Sequence, residues 1–268
     1  MNYNLSDILL PLIKKAGQII FSARQVDCEE NITSKEGAAN FVTVFDVRVQ
    51  EYLISEIKKQ IPDAVFIAEE QENDTSLLDA EHCFIIDPID GTTNFIRDYR
   101  HSCISVAMIT SNQTVFGAVY DPYLDEMFYA QRGKVAFLNV KSIIVSSHDM
   151  SMGICAYGTS PYYRDTLGDM TFDICKALFM RCADVRRCGS AALDLAYVAA
   201  GRNDMFFECR LSPWDYAAGA LLIEEAGGII SDMNGAEVEF TSARPIIAAN
   251  KMIYPELLEV SKRYGGTK

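Results

Sequence analysis

Ile85-Ile86-Asp87-Pro88-Ile89-Asp90-Gly91-Thr92-Thr93-Asn94-Phe95 is the stretch from which both fold and chemistry can be read outward. An apolar run starting at Cys83 reads as a strand, and it ends in an aspartate. Pro88 disfavours the helical region for the residue before it and so holds Asp87 extended. Asp90 follows three residues later, and Gly91 lets the backbone approach a ligand closely. A helix starting there would present the free amides of Gly91, Thr92 and Thr93 as an anion site. Two carboxylates beside an anion make electrostatic sense only with cations between them. Hard oxygen donors in that setting suit magnesium. Taken alone, the stretch reads equally well as a strand-to-turn connection whose acids cap a helix.

Other acids in comparable positions strengthen the metal reading. Glu69 and Glu70 end the apolar run Ala64–Ala68, much as Asp87 ends its own strand. Asp215 follows Pro213 and Trp214, and proline suits the first helical position, which puts Asp215 in a first turn. Asp46 opens another helical pattern. Each has an ordinary alternative, since acids in a first turn favour the helix dipole and cap its amides. The D-x-D-G-T phosphatases of the haloacid-dehalogenase type, whose first aspartate is a nucleophile, are excluded because the spacing from Asp87 to Asp90 is one residue longer.

Further outward, the apolar spacing of Leu5, Ile8, Leu9, Leu12, Ile13, Ala16 and Ile20 predicts an amphipathic helix that starts or kinks at Pro11. A second helix is predicted over Asp46–Gln60, with Val49, Tyr52, Leu53, Ile57 and Gln60 on one face and Pro62 beyond its end. Residues 26–40 read as a polar, turn-rich connection. Ile104–Ile109, Thr114–Tyr120 and Glu126–Ala130 are short apolar runs separated by turn residues, the pattern of an antiparallel meander. Beyond residue 150, strands (153–157, 182–187, 204–208, 228–231, 245–249) alternate with helices (162–179, 190–200, 213–226, 254–263). The fold class is α/β or α+β in layers, with one unit over 1–268. It has an α+β half over about 1–145 and an α/β half over about 146–268.

The chain has 268 residues, 49% hydrophobic and 23% charged, ordinary values for a globular protein with a sizeable core. Its net charge of −13 argues against a main task of gripping nucleic-acid phosphates, so no nucleic-acid partner is expected. The eight cysteines contain no C-x-x-C pair and no zinc-finger spacing, and free thiols are expected in a reducing cytoplasm. No apolar run is long enough to span a membrane, and the start of the chain does not read as a signal peptide. The three histidines, His82, His101 and His148, fall in no recognisable motif and are assigned surface or core roles.

Taken together, these motifs resemble the inositol monophosphatase family of magnesium-dependent, lithium-sensitive phosphatases. Ser34-Lys35 with Val42-Thr43 and Asp46 is similar to that family's early loop and helix start. Ala68-Glu69-Glu70 resembles its glutamate pair, and Asp87 to Phe95 its central signature. Gly189-Ser190-Ala191-Ala192 resembles its substrate-facing turn, and Trp214-Asp215-Tyr216-Ala217-Ala218-Gly219 its later signature, followed by Glu225-Ala226-Gly227-Gly228. The resemblance implies a layered α/β/α/β/α sandwich, a homodimer, and two or three Mg²⁺ per site. It implies that Glu69, Asp87 and the Ile89 carbonyl hold a first metal, and that Asp87, Asp90 and Asp215 hold a second. Thr92 and Asp46 would orient the attacking water, with Asp46 near a third, weaker metal. The Gly91 and Thr92 amides would hold the phosphate, while Gly189, Ser190, Ala191 and Glu208 would face the rest of the substrate. Asn40 departs from the family's common aspartate, which puts the third-metal region in question, and Ser212-Pro213 leaves sugar specificity open.

The implied activity is hydrolysis of inositol 1-phosphate or a similar phosphomonoester by metal-activated water. The alternatives within the superfamily are fructose-1,6-bisphosphatase, which Arg187 or Arg210 could support, and 3′-phosphoadenosine 5′-phosphate phosphatase. Thr93-Asn94 argues against the last, because those enzymes usually carry a lysine in that turn. A different class remains as an alternative, a non-catalytic partner-binding protein, since some bacterial relatives associate with transcription machinery.

Overall fold

The computed structural model describes residues 4–23, 26, 31–34 and 41–265. Cys28, Lys35 and Asn40, and most of the connection expected over 26–40, lie outside the described residues. Helix α1 (Leu5–Ser22) buries Leu9, Ile13, Ala16 and Ile20 at the expected spacing. Pro11 neither starts nor ends it. The ring sits on the exposed side, where water can serve the carbonyl left without its amide partner. A short hairpin of β1 (Ile32–Ser34) and β2 (Phe41–Thr43), not foreseen from the sequence, leads into α2 (Val44–Gln60). Helix α2 starts earlier than expected because Thr43, and not Asp46, is its N-cap. Gln60 is exposed and not part of its buried face.

Strands β3 (Val65–Ala68) and β4 (Cys83–Asp90) run parallel. After the single helical turn α3 (Thr92–Ile96) come the meander strands β5 (Cys103–Thr110), β6 (Gln113–Asp121) and β7 (Glu126–Gln131). Two further short strands, β8 (Ala136–Leu138) and β9 (Lys141–Ile143), extend the meander. Together β3 to β9 form a seven-stranded sheet in chain order. The second half contributes β10 (Ile154–Tyr157), α4 (Arg164–Phe179), β11 (Asp184–Arg186), α5 (Ala191–Ala199) and β12 (Met205–Leu211). It ends with α6 (Pro213–Glu225), β13 (Ile229–Ser231), β14 (Arg244–Ala249) and α7 (Tyr254–Gly265). Its strands form a five-stranded sheet in the order β11-β10-β12-β14-β13.

Strand residues alternate between two cores, which explains why β4, β5 and β12 read as continuous apolar runs. Cys83 and Ile85 face the core that holds α5 and α6, while Phe84 and Ile86 face the core under α1 and α2. On the smaller sheet, Phe206, Ile246 and Ala248 face α5 and α6, while Met205, Phe207 and Ile247 face α4 and α7. The layers are therefore α1/α2, large sheet, α5/α6, small sheet, α4/α7, the α/β/α/β/α sandwich expected from the resemblance. No helix among the described residues is long and apolar enough to cross a membrane.

Two one-residue bulges position the acids. Against β5, Asp87 pairs with Ser105 and Asp90 with Cys103, so β4 carries one extra residue between them. In a regular strand, residues three apart face opposite sides of the sheet. The bulge removes that offset and lets both carboxylates serve one side. Strand β12 has the same device, with Glu208 paired to Ile246 and Leu211 to Arg244.

Candidate active site

Asp87, Asp90 and Asp215 converge at the end of β4 and the start of α6, each offering a carboxylate oxygen within 4.8 Å of the others. A cavity of about 470 Å³ opens over them. Its walls include Glu69, Ile89, Gly91, Thr92, Gly189, Ser190, Ala191 and Glu208. Among the acids named from the sequence, Glu70 and Asp46 are not on that wall. Asp46 is completely buried.

Local hydrogen bonds explain how each acid is held. Asp90 Oδ2 accepts from Ser190 Oγ at 2.5 Å and from the Ala192 amide at 2.8 Å. Both donors belong to the start of α5, so the glycine turn and the central signature are joined through one carboxylate oxygen. Asp87 Oδ1 accepts from the Ile89 amide at 3.0 Å. Asp215 Oδ2 accepts from the Ser212 amide at 2.7 Å, and Asp46 Oδ2 from the Thr43 amide at 2.8 Å and the Thr43 hydroxyl at 2.5 Å. Asp46 and Asp215 thus both occupy the third position of their helices, folding back on the N-cap residue. The capping reading and the metal reading of these acids are compatible, because a cap uses one oxygen and leaves the other. In Asp46 the second oxygen, Oδ1, is buried without a hydrogen-bond partner. The Thr92 hydroxyl donates to the Ile89 carbonyl at 3.2 Å, so Thr92 and Asp46 are each bonded elsewhere.

Burial and mutual repulsion dominate the electrostatics. Burial pushes the Asp87 carboxyl well above the usual range, with Glu69, Asp90, Asp215 and Asp46 adding to the effect. Asp215 is raised by burial and then by Asp90 and Glu69. Asp90 is raised by burial against its hydrogen bonds. Asp46 is pushed up to about 7, chiefly by burial. Three buried acids and the half-buried Asp215 in one place, one of them with an orphaned oxygen, are costly without a cation. All the donors are oxygens, which suits a hard divalent ion such as Mg²⁺. The residues present fit that group.

Glu208 also lines the cavity, accepting from the Ser160 amide at 2.8 Å and the Ser160 hydroxyl at 3.1 Å. Burial raises it to about 7. Gly158 makes its position possible, since a Cβ there would lie 1.8 Å from Glu208 Oε2. Gly158→Ala is expected to displace the Glu208 carboxylate and raise KM by about tenfold with a smaller effect on kcat. Steady-state kinetics would check this, and an unchanged KM would remove Glu208 from the binding wall. Gly91 is required for a different reason. Its φ of +88° and the 3.0 Å spacing from its notional Cβ to the Gly189 and His101 carbonyls both exclude a side chain.

The structure also brings in residues that the sequence left unassigned. Ser160, Tyr162, Tyr163 and Asp194 line the cavity, as does Trp214, noted only as part of a signature. Neither Ser160 nor Tyr162 lies in a motif, and only the loop after β10 places them there. Of the two arginines before the glycine turn, Arg186 pairs with Asp184, whereas Arg187 lines the cavity and donates to Thr159 Oγ1 at 3.1 Å. Arg210 is also on the wall, its guanidinium 4.6 Å from the Tyr163 ring centre. His82 and His148 have the ordinary roles expected of them, bonded to Asp63 and Asp204. The cysteines within the described residues are all free thiols, and Cys182 and Cys188 are half-buried while the rest are buried.

The sequence model of the inositol monophosphatase family matches residues 2–265. The chain belongs to the inositol monophosphatase family. Membership accounts for the order of the acid-bearing signatures, and the family is one of phosphatases that generally depend on Mg²⁺. Two kinds of relative are found within it. A Salmonella typhimurium protein called Nus factor SuhB is 40% identical over 247 residues, covering 91% of each chain. An inositol-1-monophosphatase of Mesorhizobium japonicum is 34% identical over 97% of this chain and 96% of its own. Among solved structures, an IMPase of Thermotoga maritima matches with a TM-score of 0.88 at 32% identity, covering 98% of both chains.

Proposed function

We propose that this protein hydrolyses inositol 1-phosphate or a closely similar sugar phosphomonoester in a magnesium-dependent reaction, with water as the nucleophile. The observation that carries the reading is the convergence of Asp87, Asp90 and Asp215 at a cavity that Glu208 also lines. Glu69, Asp87 and the Ile89 carbonyl would hold one Mg²⁺, and Asp87, Asp90 and Asp215 a second. When bound, magnesium supplies the positive charge that attack on an anionic phosphate ester requires.

The chain's own groups supply the rest. The amides of Gly91 and Thr92 hold the phosphate. Thr92 and Asp46 orient the attacking water, Asp46 through the Oδ1 that its cap leaves unbonded, and Asp46 accepts the water's proton. The new P–O bond forms as the ester P–O bond breaks in line, and the sugar oxygen leaves and takes up a proton from solvent water. Glu208 accepts a hydrogen bond from a sugar hydroxyl, and Gly189, Ser190 and Ala191 close the side of the pocket. In this reading the protein works in the cytoplasm as a homodimer.

Arg187 and Arg210 support a second reading within the same chemistry. They are cations on an otherwise acidic wall and could engage a second phosphate, as in fructose 1,6-bisphosphate. The relatives named Nus factor support a further role in binding a partner of the transcription machinery, compatible with an intact catalytic site.

The test is phosphate release from inositol 1-phosphate with Mg²⁺ and then with chelator. Release that disappears on chelation is expected. No release from folded protein in excess Mg²⁺ would overturn the inositol phosphate assignment, and release from fructose 1,6-bisphosphate under the same conditions would establish the second reading in its place.

A further inference from the structure

His101, Cys188 and Asp194 come together from three separate places. His101 precedes β5, Cys188 follows β11, and Asp194 is in the first turn of α5. Each offers one ligand atom, and these lie within 4.8 Å of one another. The proposed Mg²⁺ chemistry uses none of the three. The Cys188 thiol is hydrogen-bonded to the Asp194 carboxylate, yet His101 Nε2 and Asp194 Oδ1 are each buried without a hydrogen-bond partner. Unsatisfied buried polar atoms are rare and call for a physical reason.

The geometry points to a second cation site, for zinc or another borderline-soft divalent ion, formed by His101, Cys188 and Asp194. The donor set separates it from the carboxylate centre. Thiolate and imidazole suit zinc, whereas magnesium takes oxygen ligands. Charge supports the same ion. A thiolate, a carboxylate and a neutral imidazole carry two negative charges, which a divalent cation cancels. Asp194 has acidic neighbours in Asp90 and Glu208, with Arg187 as the opposing charge, so it gains from a cation close by. Zinc bonds of about 2.0–2.3 Å place tetrahedral ligand atoms roughly 3.5 Å apart, so side-chain movements of about an ångström close the site. Binding displaces the Cys188 thiol proton and any proton on Asp194, and a fourth position is left for water or another ligand.

Ligand backbones are already fixed. Asn94 Nδ2 donates to the His101 carbonyl at 2.8 Å and to the Cys188 carbonyl at 2.9 Å, so one side-chain amide ties two of the three ligands together. Asn94 belongs to the central signature, and Cys188 directly precedes the Gly189 turn. An ion here would therefore brace the junction between the phosphate-facing and sugar-facing parts of the pocket.

Cobalt provides a test that does not depend on activity. The reduced protein is titrated with Co²⁺ in a large excess of Mg²⁺, which occupies the carboxylate centre, and thiolate-to-cobalt charge transfer is read in the near ultraviolet. One equivalent of Co²⁺ should produce the band, and one equivalent of Zn²⁺ should abolish it. Cys103 is the control, because its Sγ lies 3.8 Å from Asp90 Oδ2 and would report cobalt in the carboxylate centre. The band should be lost in Cys188→Ser and weakened at least tenfold in His101→Asn, both with native circular dichroism, and retained in Cys103→Ser. No band in the wild-type protein, a band that survives Cys188→Ser, or one that requires Cys103 overturns the site. If Cys188→Ser does not fold, the His101→Asn and Cys103→Ser comparison decides on the same criteria.

Discussion

Asp90→Asn is expected to lower phosphatase turnover by ~10³-fold or more while the metal-free protein melts at the same temperature or higher. Asp90 is the acid shared by two parts of the site. One oxygen is occupied by Ser190 Oγ and the Ala192 amide, and the carboxylate belongs to the three-acid cluster. An asparagine keeps its carbonyl oxygen under those two donors and presents an amide where a negative charge is needed. The cluster loses charge, so affinity for Mg²⁺ and stabilisation of the reaction fall together. The same change relieves Asp87 and Asp215, both of which Asp90 pushes upward. Loss of function with retained or improved stability is the signature of a site acid, because removing a structural acid destabilises. Turnover at saturating Mg²⁺ and a melt in chelator measure the two halves. Retained turnover would remove Asp90 from the chemistry, and a large fall in melting temperature would make it structural.

The order of elements was legible because the two sheets are covered on both faces. Long apolar runs such as Cys83–Ile86 and Ile104–Ile109 then have one explanation, burial on both sides. Short edge strands were not legible. Strands β8 and β9 carry few buried side chains, and Val140 beside them is exposed, so no apolar pattern marks them. The end of β4 is not legible for a different reason. Pro88 and the acids look like a turn, yet the bulge keeps the chain in the sheet through Asp90. At the site, acids at strand ends and helix starts could be identified because capping and metal binding favour the same positions. Ser160, Tyr162 and Asp194 could not, since they reach the cavity only through tertiary packing. His101 and Cys188 are 87 residues apart and share no motif, so their proximity is visible only in the folded chain.

In chelator, the melting temperature is expected to fall between pH 5 and pH 8, and saturating Mg²⁺ should remove most of that fall. An acid whose folded pKa is raised binds its proton more tightly folded than unfolded. Its folded state is therefore unpenalised below the unfolded pKa and loses stability as pH rises toward the folded value. Asp46 rises from 3.8 to about 7 and Glu208 from 4.5 to about 7, so the loss spans roughly pH 4 to 7. Asp87, Asp90 and Asp215 are shifted the same way and add to it. For Asp46 alone the shift corresponds to about 4 kcal/mol, an upper bound because the acids titrate together. A loss of that size lowers the melting temperature of a chain this long by about 10 °C. Other groups do not mask the effect. Hydrogen bonds lower the acids Asp63, Asp74, Asp125, Asp149 and Asp184, so their stabilisation is complete above pH 4. Burial lowers His101, which opposes the trend near pH 6, but it is one group against several acids. Bound Mg²⁺ reverses the balance by favouring the ionised carboxylates, so its stabilisation should grow with pH. Asp90→Asn should flatten both curves. A wild-type melting temperature in chelator that is constant or rises from pH 5 to 8 would mean that water, and not a cation, already solvates these acids.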